Sequence, residues 1–377
     1  MTSTAIPNGS LLPVADSTST LPVPAYYVAL PGADNFGNVP GAPTAVLGDT
    51  FSGKRLLTLR PPAGWKFVSV TAAADDRTFV LGVEWHPQPP AVPQATAWYL
   101  VRVTPGPKFH ATMRKLRVPA PQSDSAVDAV ALSPNGEYIA TLGNVGGAIG
   151  RTGKEKLALR VYTVATGARV STWSGIFYEG FDAYDTLSWT ANGYLAFARN
   201  WFAPVAPHDF FGVRMLKVTH PAGDLVADSR LVWSTPVPLE TPRLHKLSCA
   251  YGGIALVTPD GKTVVCTAYG VYRTPPPVGK TGCPAVQPWN DVAFLEYSTA
   301  TGKLVRTLFR HDTNCFLAGS DIMWTSATGD AVIGFYAAGS PIGRQGTIRF
   351  GVFSVQGFAP LPVPPTTTTV PTAGIAW

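Results

Sequence analysis

Apolar and polar residues alternate along most of the chain in short runs, and the runs are separated by clusters of Pro, Asn, Asp and Gly. A period of two indicates half-buried strands, and the turn residues between them indicate hairpins. One hairpin recurs with a short turn between two apolar runs. Clear copies begin at Ala129 (AVALSPNGEYIATL), Thr186 (TLSWTANGYLAFA), Ile254 (IALVTPDGKTVVCTA) and Asp321 (DIMWTSATGDAVIGF), and a weaker copy begins at Val68 (VSVTAAADDRTFVLGV).

A second hairpin follows each copy of the first at a distance. Its clearest copies begin at Thr44 (TAVLGDTFSGKRLLTL), Leu159 (LRVYTVATGARVSTW) and Ala293 (AFLEYSTATGKLVRTL), and looser copies begin at Trp98, Val213 and Thr347. One unit is therefore two consecutive hairpins, and four antiparallel strands per unit arranged around a ring are typical of a β-propeller. The chain contains five complete units: Phe67–Leu116, Val127–Trp173, Tyr184–Trp233, Gly252–Phe309 and Gly319–Pro362.

The two ends of the chain supply a sixth unit. The N-terminal part offers AYYVAL at Ala25–Leu30 and the hairpin at Thr44–Leu59, which leaves the innermost strand missing. The last residues, AGIAW at Ala373–Trp377, are similar to the inner-strand sequences DTLSW and SDIMW of other units. We therefore predict an all-β, six-bladed β-propeller of four-stranded antiparallel blades, closed by the C-terminal strand joining the N-terminal blade. Residues 1–24 are predicted to be a flexible lead-in, and residues 25–377 a single propeller domain with 373–377 as its closing strand.

The turns of these units resemble those of WD-repeat-like propellers of the actinobacterial type. The resemblance rests on Ser/Thr-Pro-Asp/Asn-Gly turns at Ser133–Gly136 and Thr258–Gly261, and on Ala-Thr-Gly turns at Ala165–Gly167 and Ala300–Gly302. It covers nearly the whole chain from Ala25. It implies a bacterial repeat protein with the propeller fold and implies no particular function, because the Gly-His and Trp-Asp dipeptides of true WD repeats are absent.

Composition narrows the possible partners. The net charge is +6, but Lys and Arg are scattered singly along the sequence, so we expect no nucleic-acid partner. No apolar run approaches the roughly 20 residues of a membrane helix, so we expect no membrane-spanning segment. Residues 1–25 lack the basic start and apolar centre of a signal peptide. We expect the chain to act as a monomer.

Four cysteines lie in one stretch of the C-terminal half, and their spacing matches no zinc signature. We predict two disulfides, Cys249–Cys266 and Cys283–Cys315, each pinning a connection that has little core of its own. This pattern favours an extracellular or cell-envelope location. The alternative is four buried thiols.

Connections between the two hairpins of a unit are long, whereas the turns within hairpins are short. Long loops on one side of a rigid scaffold are where binding usually resides, and exposed aromatic residues there bind peptides or sugars. The alternative is that these side chains pack the loops together. The candidate binding residues are Trp85, His86, Trp201, His208, Asp209 and Trp289, with His245, His311 and Asp312 in connections between units.

Catalytic motifs are absent from the sequence: we find no G-x-S-x-G, phosphate loop, H-E-x-x-H or sialidase Asp-box. We therefore expect a non-enzymatic propeller without a cofactor, engaging a protein, peptide or glycan. The alternative is a metal-dependent hydrolase similar to lactonase-type propellers, which hold a divalent ion at the mouth of the central channel. Asp128, Asp185 and Asp321 start predicted inner strands and would supply oxygen ligands suited to Ca²⁺. An Asp at a strand start also commonly binds backbone donors of the preceding turn.

Overall fold

The computed structural model describes the chain in segments that contain the strands and most of the short turns. The described residues are 23–31, 41–85, 95–106, 109–119, 127–145, 154–178, 186–201, 210–218, 222–236, 247–249, 254–271, 289–312, 317–338, 347–362 and 374–377. In chain order the strands are β1 (Tyr26–Ala29), β2 (Ala45–Asp49), β3 (Arg55–Leu59), β4 (Trp65–Ala72), β5 (Thr78–Trp85), β6 (Ala95–Thr104), β7 (His110–Lys115), β8 (Val127–Leu132), β9 (Tyr138–Asn144), β10 (Lys154–Thr163), β11 (Arg169–Tyr178), β12 (Thr186–Trp189), β13 (Tyr194–Trp201), β14 (Phe210–Lys217), β15 (Ala222–Asp224), β16 (Arg230–Pro236), β17 (Ala255–Val257), β18 (Thr263–Val271), β19 (Trp289–Ser298), β20 (Leu304–Asp312), β21 (Leu317–Thr325), β22 (Ala331–Ala338), β23 (Thr347–Ser354), β24 (Gly357–Pro360) and β25 (Ile375–Ala376).

These strands form six sheets, which are the six blades of a propeller. From the inside outward, blade 1 is β25-β1-β2-β3, blade 2 is β4 to β7, blade 3 is β8 to β11, blade 4 is β12-β13-β14-β16, blade 5 is β17 to β20 and blade 6 is β21 to β24. Neighbouring innermost strands contact one another all the way round, from β4 through β8, β12, β17 and β21 to β25 and back to β4. The predicted fold is confirmed.

The C-terminal strand closes the ring as predicted. In β25, Ile375 and Ala376 pair with Ala29 and Val28 of β1, so the last strand of the chain is the innermost strand of the first blade. The terminal residue Trp377 is buried and its ring stacks on Phe350 of blade 6 at 5.3 Å. Closure therefore joins blade 1 internally and packs it against blade 6.

The hydrophobic core is divided among the junctions between blades. Six clusters of buried residues each draw on two neighbouring blades, one cluster for each junction of the ring. The alternation of each strand explains this division, because successive side chains point to opposite faces of a sheet. In β5, Phe79, Leu81 and Val83 pack toward blade 1, whereas Val80 packs toward blade 3.

Blade 3 carries one strand that the sequence pattern does not predict. The connection between β14 and β16 of blade 4 crosses to blade 3, where β15 pairs in parallel with β11. Leu225 follows β15 and is fully buried in the cluster between the two blades. The outer edge of blade 3 is therefore covered over part of its length by its neighbour.

Candidate functional site

The two ends of the ring differ in the length of their connections. The turns inside hairpins meet at one end, which we call the turn face. At the other end, which we call the loop face, each blade's two middle strands are joined by residues 30–44, 86–94, 145–153, 202–209, 272–288 and 339–346. The described strand ends therefore bring all six long connections to one face, as predicted.

Two of the predicted binding residues have described side chains. Trp85 is the last residue of β5, pairs with Trp65 and is half-buried. The Trp85 indole lies close to Gly64, where an added Cβ would be 3.2 Å from the indole nitrogen of Trp85. His311 was predicted to lie in a connection between blades, but β20 extends to Asp312, so both residues are in a strand. The half-buried His311 ring stacks on Phe309 at 6.2 Å. Trp85 and His311 thus lie where strands reach the loop face, on blades 2 and 5.

The structure gives only the backbone positions of two further candidates. Trp201 is the last residue of β13 and pairs with Phe210, and Trp289 is the first residue of β19 and pairs with Val271. Both tryptophans are therefore anchored at strand ends on the loop face. The remaining candidates, His86, His208, Asp209 and His245, lie outside the described residues.

The predicted Cys249–Cys266 disulfide is confirmed, with Cα atoms 5.8 Å apart. Cys249 belongs to a short segment before β17, in which Ser248 exchanges backbone hydrogen bonds with Tyr269 of β18. Both cysteines are buried between blades 4 and 5. The bond thus fastens the chain to β18 as it enters blade 5. Cys283 and Cys315 lie outside the described residues, so their pairing stays a prediction.

The proposed metal ligands occupy different places in their strands. Asp128 is the extra residue of a β-bulge in β8, between Val127 and Ala129. Asp321 lies inside β21 rather than at its start, because that strand begins at Leu317. Asp185 lies outside the described residues. In the part of the chain whose side chains are described, no three His, Cys, Asp or Glu residues form a metal-binding group.

One carboxylate among the described side chains is completely buried. Glu296 of β19 accepts hydrogen bonds from Nε and Nη2 of Arg306 on β20. This hydrogen bond raises the pKa of Arg306. On the adjoining turn of blade 6, a hydrogen bond from the Ser326 hydroxyl lowers the pKa of Asp330. Glu296 is thus paired with a cation inside blade 5, and it also borders blade 6, because a Cβ added to Gly329 would lie 2.9 Å from its Oε1.

Backbone hydrogen bonds join neighbouring blades on the turn face. Ala74 donates to Pro134 at 3.0 Å, Ala191 to Pro259 at 2.6 Å and Asp260 to Ala327 at 3.1 Å. These bonds link blade 2 to 3, blade 4 to 5 and blade 5 to 6. At the junction of blades 3 and 4 the backbone bonds come instead from the connection between β14 and β16: β15 pairs with β11, and the Leu225 N–H donates to the Ser174 carbonyl at 2.9 Å.

A cleft of about 340 Å³ opens on the turn face at the junction of blades 3 and 4. Its apolar lining includes Tyr138 and Trp189, whose rings stack at 6.5 Å, and Lys217 lies at its edge. The Trp189 indole N–H donates to the Ala131 carbonyl of blade 3 at 3.2 Å, and this hydrogen bond fixes the orientation of the ring. Sequence reasoning missed the cleft, because its lining residues come from two blades and are far apart in the sequence.

Fold and connections together define a six-bladed β-propeller with one loop-bearing face. No family model matches the chain. No curated protein matches it either. Within the described residues, no helix has the length and apolar character needed to span a bilayer. The resemblance to WD-repeat-like propellers is therefore still a prediction from the turn sequences.

Several solved structures share the general arrangement at low similarity. A candidate TolB protein from Agrobacterium tumefaciens is 10% identical, with a TM-score of 0.41 over 90% of this chain and 87% of that one. An oligogalacturonate lyase in complex with manganese is 11% identical, with a TM-score of 0.41 over 85% and 74%. The periplasmic gluconolactonase of Pseudomonas aeruginosa is 12% identical, with a TM-score of 0.36 over 89% and 98%. Because these likenesses are weak, nothing about function is drawn from them.

Proposed function

We propose that this propeller is a binding protein that engages a protein, peptide or glycan through its loop face. The observation that carries the proposal is the asymmetry of the ring. All six blades place a connection of eight or more residues on the loop face, whereas the described turns between β4 and β5, β8 and β9, β12 and β13, β17 and β18, and β21 and β22 have four or five residues.

A rigid ring supports this role physically. Each blade is fixed to its neighbours by a buried cluster, and binding groups carried on such a scaffold lose little conformational freedom when a ligand arrives. Trp85, Trp201 and Trp289 stand at strand ends on blades 2, 4 and 5. Large aromatic side chains with these fixed starting points are suited to anchoring a ligand.

The test selects ligands from a displayed random-peptide library and a glycan array using the wild-type protein. The binding of each selected ligand is then measured on a Trp201→Ala/Trp289→Ala variant. We expect at least tenfold weaker binding, because central aromatic anchors commonly contribute about 2 kcal/mol or more. The control variant, Phe51→Ala/Val355→Ala, removes two exposed apolar side chains from hairpin turns on the turn face and should bind as the wild type does.

A second loop-face variant, His86→Ala/His208→Ala, tests the same face independently in case the tryptophan variant misfolds. Ligands that bind both loop-face variants as tightly as the wild type would overturn the proposal.

Elemental analysis of protein purified without chelators tests the lactonase-type alternative. One equivalent of Ca²⁺ per chain that is lost in Asp128→Asn would favour that alternative over a binding protein.

A further inference from the structure

Cations that are scattered along the sequence gather on the outside of two neighbouring blades. Residues 60–119, which span blade 2, contain eight Lys and Arg residues and only three Asp and Glu residues, whereas the whole chain carries a net charge of +6. The described strands β6, β7 and β11 contain no acidic residue. The surplus charge of the protein is thus concentrated on this side of the ring.

Four arginines, two on blade 2 and two on blade 3, lie on the facing sides of these blades. On β10, Tyr162 packs into the cluster shared with blade 2, whereas Leu159 and Val161 pack toward blade 4. Because side chains alternate, Arg160 lies on the same side as Tyr162. Arg169 is the cross-strand partner of Tyr162 and also lies there. Both arginines act electrostatically on the Tyr162 hydroxyl.

Side-chain alternation also places the two arginines of blade 2, Arg102 and Arg114, on the side that faces blade 3. Leu116 and Val118 are buried in the cluster shared with blade 3, so Arg114 on the preceding strand shares their side. Leu100 pairs with Arg114, and Arg102 pairs with Thr112, which makes Arg102 and Arg114 diagonal neighbours. Arg160 and Arg169 form a second diagonal pair, since their cross-strand partners are Thr172 and Tyr162. We call these four residues the basic rim.

The basic rim has no counter-charge among the described residues. Arg102, Arg114 and Arg169 are exposed and Arg160 is half-buried, and no described ion pair or hydrogen bond engages their guanidinium groups. Unpaired arginines on the facing sides of adjacent blades repel one another, and a bound anion removes that repulsion. The arrangement therefore fits a ligand that carries several negative charges.

An open strand edge adjoins the basic rim. β7 is the outermost strand of blade 2, and it has no neighbour on its outer side among the described residues. The Leu116 N–H donates inward to the Trp98 carbonyl at 2.8 Å. Because inward and outward backbone groups alternate along a strand, the N–H groups of Ala111, Met113 and Lys115 point outward. No described residue pairs with these N–H groups, so they can pair with an added strand.

We propose that blades 2 and 3 bind an extended acidic segment of a partner protein, which adds as a strand to the outer edge of β7. Strand addition gives affinity through backbone hydrogen bonds, and alternate side chains give specificity. Every second side chain of the added strand lies on the side of β7 that faces the basic rim. The segment therefore carries Asp or Glu at alternate positions, where bidentate arginine contacts are available.

Neither edge protection nor nucleic-acid binding accounts for the basic rim as well as an acidic strand does. Charges that merely guard an edge strand against aggregation belong on that strand, whereas Arg160 and Arg169 lie on the next blade. Single-stranded nucleic acid binding uses exposed aromatic side chains on which bases stack. The aromatic residues at this junction, Trp98 and Tyr162, are 1% and 6% exposed, so they offer no stacking surface.

The test uses fluorescence anisotropy with a labelled twelve-residue peptide of alternating Glu and Thr at low ionic strength. A Gln/Thr peptide of the same length and an oligothymidine strand serve as comparison ligands. We expect Arg114→Glu/Arg160→Glu to weaken binding of the Glu/Thr peptide at least tenfold. The matched control, Arg230→Glu/Lys303→Glu, makes the same change in net charge at exposed cations on blades 4 and 5 and should leave binding within twofold.

A backbone variant separates strand addition from simple charge attraction. Ala111→Pro removes one outward N–H while sparing the inward hydrogen bonds to β6, and proline is tolerated at such edge positions. We expect binding to weaken at least fivefold with the melting temperature unchanged within about 2 °C. The proposal is overturned if the wild type binds the Glu/Thr and Gln/Thr peptides equally, if the control reversal weakens binding as much as the rim reversal, or if oligothymidine binds more tightly than the acidic peptide. Binding unchanged by Ala111→Pro would refute strand addition.

Discussion

Removing the terminal indole, Trp377→Ala, should weaken the closure of the ring. Trp377 is 5% exposed. The centroid of its ring lies 5.3 Å from that of Phe350 in blade 6 and 6.1 Å from that of Tyr27 in blade 1. It also follows β25 directly, so its loss loosens a strand of only two paired residues. The substitution therefore acts on the junction between blades 6 and 1, where the two ends of the chain meet.

The expected loss follows from its burial. Replacing a buried tryptophan by alanine typically costs about 3–5 kcal/mol through lost transfer free energy and an unfilled cavity. With an unfolding entropy of about 2.1 cal/mol/K per residue, a domain of roughly 350 residues gives about 0.7 kcal/mol/K, so a loss of about 4 kcal/mol lowers the melting temperature by about 5 °C. No described group accepts a hydrogen bond from the Trp377 indole N–H. Trp377→Phe should therefore keep most of the stability.

Calorimetry and urea unfolding of the three proteins measure this difference. Phe51→Ala is the control, because Phe51 is 61% exposed in the turn between β2 and β3, and its loss should change the free energy of unfolding by less than about 0.5 kcal/mol. Equal melting temperatures for Trp377→Ala and Phe51→Ala would refute the reasoning, because they would mean that the last residue does not help to hold the ring closed.

Three further changes test the turns, the disulfide and the pH dependence of stability. Gly329→Ala should destabilise the protein by about 1–3 kcal/mol more than Gly193→Ala in urea unfolding. Both glycines have a φ near +80°, but only at Gly329 would an added Cβ lie within 3 Å of Thr258, Thr263 and Glu296. Equal losses of stability in the two variants would contradict this crowding. Cys249→Ala/Cys266→Ala should lower the free energy of unfolding by about 3 kcal/mol under non-reducing conditions, since the disulfide closes a loop of 17 residues; an unchanged urea midpoint would contradict it. Asp330→Asn should flatten the loss of stability as the pH falls below about 5, because the folded pKa of Asp330 lies below its unfolded value of 3.8. The stabilisation by Asp330 is then complete above the unfolded pKa and is lost as the pH falls through the folded pKa. Parallel pH profiles for Asp330→Asn and the wild type, measured by thermal unfolding, would show that Asp330 is not responsible.

The repeat pattern predicts the ring because the strand alternation, the turn residues and the repeat of hairpins all indicate the same fold. Alternating apolar residues make strands, and Gly136 and its counterparts adopt the positive φ that the short turns need. Even the closing strand is visible, because AGIAW has the apolar composition of an inner strand. In the weaker copy, Asp76 takes the glycine position with a φ of 51°, and its carboxylate accepts the Ala25 N–H.

Features that depend on contacts between blades are not visible in the local pattern. Ala222–Asp224 is short and exposed, and it becomes a strand only because the edge of blade 3 is nearby to pair with it. Pairing inside a blade can be hidden too: His311 looks like a loop residue in the sequence, but β19 pairs with it and extends β20 to Asp312. The basic rim is invisible for the same reason, because only the packing of blade 2 against blade 3 places Arg102 and Arg160 on facing sides of neighbouring blades.

Hydrogen exchange of the wild-type protein with and without a selected ligand tests the central claim, binding through the loop face, most directly. We expect protection in at least two of the connections 86–94, 202–209 and 272–288, with no change in the hairpin turns. Protection confined to turns 133–137 and 190–193, which border the cleft between blades 3 and 4, would contradict this claim and assign binding to the turn face.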